Sequence, residues 1–235
     1  MDTDDLVINL LADRTPTAAR DLMLAWSERR YSSWANAARD SEVRAASSGH
    51  LPQIRGQLRY HLGEAALVEA ARSANIGAMP LRTTPPGGIF IVARVGRFAL
   101  VSVSATDAKL MPRVSLTRKL LRQPNESLDP QNDMFAELRE KPRVVTDLAY
   151  FGCLVSVPDR RDPTAPAQLA LGVPNANVSD WISWIPLTRL HGLLQQKVDA
   201  AGPTPIIDGN VADKAFPRFR LPNSNKGTGD DGKAG

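Results

Sequence analysis

The chain has 235 residues, 43% of them hydrophobic and 23% charged, with a formal net charge of +4. That length can bury a substantial core in one domain, and the balance is that of an ordinary globular protein. No apolar run approaches the roughly 18 residues of a membrane span, and the single cysteine, Cys153, excludes an internal disulfide and a multi-cysteine metal cage.

The N-terminal stretch MDTDDLVINLLADR starts acidic, and its short apolar run is broken by Asn9 and Asp13. A secretory leader needs a basic start and a longer apolar region, so a cytoplasmic protein is expected. Residues 16–46 read as helix. Thr15 is placed to cap, Pro16 suits the first helical position, and Asp21 lies near the positive end of the helix dipole. Leu22, Trp26, Arg29, Ser33 and Ala37 share one stripe, and Ser32-Ser33 marks a point where the helix could divide. SSGHLP is a joint, with Gly49 as a stop and Pro52 as a new start. A second helix is predicted over 53–74, with Leu58, Leu62, Ala65, Ala66 and Val68 on its face and Gly63 as a weak point.

RSANIGAMPLRTTPPGG is dense in turn formers and reads as a connector. GGIFIVARVGRFALVSVSA then predicts a hairpin turning at Gly96-Arg97, with Val95 opposite Phe98 and Ala93 opposite Leu100. Both faces of that hairpin are apolar, so each needs a cover and the strands belong inside a sheet. Beyond it come a short helix near 114–122, the polar loop QPNESLDPQND and a helical turn at 133–140. Strands are predicted at 144–157, 168–174 and 180–187, and a closing helix at 188–201. From residue 202 onward Pro, Gly, Asn and Asp dominate, which predicts disorder. The expected fold is α+β: a helical N-terminal segment (1–50) packed on a mixed or antiparallel sheet of about five strands in a core domain (51–201), followed by a disordered C-terminal tail (202–235).

Positive charge is concentrated in one segment. Residues 50–122 carry eleven Lys and Arg against three acids, Glu64, Glu69 and Asp107, a balance of +8. The segments before and after it each balance at −2. Guanidinium groups make bidentate contacts to phosphate oxygens, and several on one surface release counterions on binding. Arg55, Arg59, Arg113, Arg118, Lys119 and Arg122 are therefore the candidate nucleic-acid-binding residues. Arg118 and Arg122 stand four apart, which suits one side of a helix.

Signatures of catalysis are sparse. His50, His61 and His191 are scattered, and His61 with Glu64 lacks a third metal ligand. There is no G-x-S-x-G elbow and no phosphate loop ending in Lys-Ser/Thr. The order helix, strand, strand, then further strands and a helix, with Asp107-Ala108-Lys109 as an acid-x-Lys element, resembles the core of the PD-(D/E)xK nucleases. The resemblance covers about residues 58–122. It implies a divalent metal held by Asp107 and by Glu64 or Glu69 from the preceding helix, with Lys109 beside it. The chain departs from that pattern in having no acid between Glu69 and Asp107.

Two aromatic groups remain. Trp26, Tyr31 and Trp34 near Arg29 and Arg30 suggest a protein-binding helical patch, and the tail segment around Phe216, Arg218, Phe219 and Arg220 suggests a docking peptide. Trp181 and Trp184, three apart in a predicted strand, are expected on opposite faces. The sequence thus favours a non-catalytic, nucleic-acid-associated or regulatory protein without cofactor or metal. The alternatives are a divergent metal-dependent nuclease and a protein–protein interaction module.

Overall fold

Helix α2 shows how the layers are organised. It runs unbroken over Pro16–Ala45, and its buried positions Ala19, Leu22, Met23, Trp26, Arg30, Ser33, Trp34, Ala37, Ala38 and Ser41 recur at three- and four-residue steps. That spacing lays one continuous stripe along the helix. Helix α1 (Thr3–Leu11) precedes it, with Asp2 accepting from the Asp4 amide and Asp4 and Asp5 in the first turn, where the helix dipole favours them. Helix α3 (Leu51–Ser73) follows, with Pro52 in its first turn. Helix α4 spans Leu187–Ala201. In this computed structural model, residues 2–45, 49–83, 88–105, 111, 118, 121–128 and 149–202 are described. Among them, no helix is long and apolar enough to cross a membrane.

Six strands form one sheet in sequence order: β1 (Ala78–Arg82), β2 (Ile89–Val95), β3 (Phe98–Ser104), β4 (Tyr150–Pro158), β5 (Pro166–Pro174) and β6 (Trp181–Pro186). Neighbours are antiparallel except β3 and β4, which run parallel. The fold is α+β with a mixed sheet, as expected, but with six strands. The added one is β1, where Met79 pairs with Val92 and Leu81 with Phe90. Its Pro80 is tolerated because β1 lies at the sheet edge. The predicted hairpin forms with the expected register, Val95 opposite Phe98 and Ala93 opposite Leu100. Gly96 at its turn has φ 51°, and a Cβ there would collide with the carbonyl oxygens of Leu10 and Leu11 at the end of α1. Both the conformation and the close approach call for glycine.

Helices α1 to α4 cover one face of the sheet. α3 packs over β1–β3, α4 over β5 and β6, and α2 against both helices. Leu22, Met23, Trp26, Leu67, Phe98, Leu100, Leu154, Leu171, Ile185 and Leu190 meet in this layer. Each such large side chain contributes about 1.5–3 kcal/mol on burial. The other face carries Val92, Val101, Phe151, Cys153 and Val155, with Leu121 packed on it. A 3-10 helix, Gln123–Leu128, fastens this side. The buried Asn125 amide donates to the Phe151 and Pro174 carbonyls, and its oxygen accepts from the Phe151 amide, all at 2.8 Å. The predicted helical turn at 133–140 and the tail from 203 lie outside the described residues, as do most of the helix near 114–122 and the first part of the strand predicted from 144.

Candidate functional site

Along α3 the structure builds two adjoining sites from charged side chains. The first is centred on Arg30 of α2, which is 1% exposed. Its place on the buried stripe, four residues from both Trp26 and Trp34, drives the guanidinium into the space between α2, α3 and the ends of β3 and β4. There Nε and Nη2 donate to Ser156 Oγ at 3.2 and 2.9 Å, Nη2 to Ser104 Oγ at 3.1 Å and Nη1 to the Arg59 carbonyl at 2.8 Å. Every one of these acceptors is neutral. Burial lowers the Arg30 pKa to about 10, Glu64 opposes that shift and Arg59 adds to it. The group stays charged at neutral pH.

Arg59 lies over Trp34, its guanidinium carbon 3.7 Å from the ring centroid, and Nη2 donates to the Pro163 carbonyl at 2.6 Å. Stacking of this kind holds a cation in place and is worth about 0.5–2 kcal/mol. Burial, and then Arg55, lower its pKa to about 10. Arg55 bonds Ser41 Oγ at 3.2 Å and pairs with Glu42 at 3.6 Å. Two guanidiniums, Arg30 and Arg59, therefore flank Trp34, with Arg55 close to Arg59.

The second site is an open cleft of about 700 Å³ lined by Tyr60, His61, Glu64, Arg82, Gly88, Ile89 and Ile91. The Glu64 carboxylate accepts from the Ile91 amide, which ties α3 to β2. Burial pushes its pKa up to about 7, against the pull of that hydrogen bond, Arg30 and Arg118. Tyr60 is 42% exposed, and its hydroxyl donates to the Ile89 carbonyl at 2.5 Å. The His61 ring stands edge-on to it, 5.2 Å between centroids.

The sequence-derived cations are thus distributed unevenly. Arg55 and Arg59 lie near each other, with Arg59 over Trp34. Arg118 acts electrostatically on Glu64 and Tyr60 at the cleft. Arg122 is 4% exposed, and its Nε and Nη1 have no hydrogen-bond partner among the described residues. Arg113 and Lys119 lie outside the described residues, as do Asp107, Lys109, Phe216, Arg218, Phe219 and Arg220. Glu64 and Glu69 are five positions apart, about 140° around the helix axis, and Glu69 pairs with Arg29 at 3.4 Å. At the strand positions where the PD-(D/E)xK pattern carries acids, β2 begins Ile89-Phe90-Ile91 and β3 ends Ser102-Val103-Ser104. Among the described residues, no group of three or more His, Cys, Asp or Glu is placed to hold a metal ion.

Two aromatic expectations are corrected. Trp26 and Trp34 are fully buried, so of the proposed helical patch only Tyr31, 47% exposed, reaches the surface. Trp181 and Trp184 do not point apart. Their ring centroids are 5.2 Å from each other and both pack at the margin of the same core face. A register shift between Val173 and Pro174 breaks the simple alternation.

Arg30 is the residue that sequence reasoning missed. The stripe expected from the sequence runs through Arg29, whereas the buried position is 30, and Arg29 reaches Ser73 and Glu69 at the surface. The signal lay in the spacing Trp26, Arg30, Trp34. Comparison of the chain with protein families, curated proteins and solved structures found no match.

Proposed function

We propose that the protein is a non-catalytic, nucleic-acid-associated protein that holds phosphate groups with cations arrayed along α3. The single observation that carries this reading is the charge imbalance there. Arg30 and Arg59 flank Trp34 with Arg55 close to Arg59, while Arg82 and Arg118 are associated with the neighbouring cleft. Among the described residues, the carboxylates that Arg30, Arg55 and Arg59 engage are Glu42 and Glu64, and burial pushes the Glu64 pKa up to about 7. Desolvated guanidiniums facing too few carboxylates attract polyanions. Arg55 and Arg59 are the phosphate contacts on one flank of α3, and Arg82 and Arg118 those on the other. Arg30 positions the Arg59 turn through its carbonyl.

The test is fluorescence anisotropy with labelled single- and double-stranded oligonucleotides over a salt series. Four phosphate contacts give a slope of log affinity against log salt of about −3 for single strands. Arg55→Gln/Arg118→Gln lowers the magnitude of that slope by about 1.5 with the fold intact by circular dichroism. No binding at low salt, or a slope unchanged in the double variant, overturns the reading.

A further inference from the structure

We infer that the cleft between α3 and β2 is a base pocket for guanine, with the Glu64 carboxylate reading the base and Tyr60 stacking on it. This rests on the phosphate-binding reading for the way a strand is delivered, but base choice is a separate property of the cleft. The volume of about 700 Å³ suits a nucleotide. Its walls are largely apolar, from Tyr60, Ile89 and Ile91, and its polar groups are few: Glu64 within, His61 and Arg82 beside it. The Tyr60 ring is half out in solvent and pinned at its hydroxyl by Ile89, so a partner can stack on it without first ordering the side chain.

The chemistry of Glu64 selects the base. An ionised carboxylate offers only acceptors. One of its oxygens already takes the Ile91 amide, and a carboxylate oxygen has a second lone pair to offer. On the Watson–Crick edge, guanine alone presents two adjacent donors, N1–H and N2–H. Adenine and cytosine set a bare ring nitrogen beside one amino group, and uracil or thymine flanks a single N–H with carbonyls. Each of those places a lone pair against the carboxylate. Arg82 supplies the cation for the phosphate attached to that base.

Isothermal titration of the full chain at pH 8 and fixed salt, with guanosine, inosine and adenosine monophosphates, decides the matter. Guanine is expected to bind at least tenfold more tightly than adenine, with inosine between them because it lacks the N2 amine. Glu64→Gln should remove that preference while keeping an acceptor for the Ile91 amide, and Tyr60→Leu should weaken all three nucleotides together. Pentanucleotides with one guanine or none locate the source: a guanine strand tighter than the free nucleotide places the base on a strand, and the reverse makes free nucleotide the ligand. Equal affinity for guanine and adenine nucleotides in the native chain overturns the proposal, as does a guanine preference that survives in Glu64→Gln. Salt-sensitive strand binding with no base preference leaves the phosphate reading standing and sinks this one alone.

Discussion

The guanidinium of Arg30 occupies the space that a side chain on residue 63 would fill: a Cβ built on Gly63 collides with Arg30 Nη1. The same nitrogen donates to the Arg59 carbonyl, the helical acceptor one turn before Gly63. A glycine that weakens α3 in isolation is therefore what lets a buried cation reach the helix backbone.

Two effects compete in Gly63→Ala. Helix propensity favours alanine by about 1 kcal/mol. Overpacking against a guanidinium held by Ser104, Ser156 and Arg59 costs about 1–3 kcal/mol. The packing cost is expected to win, giving a net loss of up to about 2 kcal/mol by urea denaturation. In an Arg30→Met background, where the obstruction is a flexible thioether, the sign should reverse. A stabilised Gly63→Ala single variant would show that the guanidinium gives way freely.

Stability should depend on pH through Glu64. Its folded pKa, about 7, lies above the ordinary 4.5, so between those values the folded chain keeps a proton that the unfolded chain has released. Stability from this group accordingly falls as pH rises through that window, by up to about 3 kcal/mol in all. Glu64→Gln resembles the protonated acid and retains the acceptor for Ile91. The variant is expected to match the native chain near pH 4.5 and to exceed it in stability at pH 8. Denaturant midpoints of both proteins across the range measure the difference, and parallel profiles would refute it.

Cys153 sits fully buried in β4, and burial pushes its thiol pKa up to about 12. The reactive species is the thiolate. Iodoacetamide at pH 8 should label it at least about a hundredfold more slowly in native protein than in denaturant, with a rate that tracks unfolding. Rapid labelling of the folded chain would mean that the sheet opens locally at β4.

Local features were legible in the sequence, and long-range ones were not. The Gly96 turn set the hairpin register through nearest neighbours, so Val95 and Phe98 pair as expected. The strand at Ala78–Arg82 was hidden because Pro80 and the adjoining glycines speak for a turn, and only the neighbouring β2 makes it a strand. Helix α1 was hidden by its brevity, although Val7, Ile8 and Leu11 have helical spacing. Arg30 was misplaced because an arginine is ordinarily read as surface. The neutral hydroxyls that receive it lie 74 and 126 residues away. Glu64 was visible as an acid, but its partner Ile91 and the cleft they share come from the packing of α3 on β2.

The single parallel junction between β3 and β4 governs how this molecule can assemble. β1–β2–β3 and β4–β5–β6 are each ladders of sequence neighbours, which pair quickly because little chain must be looped. The seam joins Phe98 to Tyr150 and Ser104 to Ser156 across a long connection, and it closes only after that chain entropy has been lost. Arg30 clasps both sides of this seam, through Ser104 and Ser156, from a helix that precedes either half. Its hydrogen bonds can be completed only when the two halves have met, so the buried cation latches the seam that joins them.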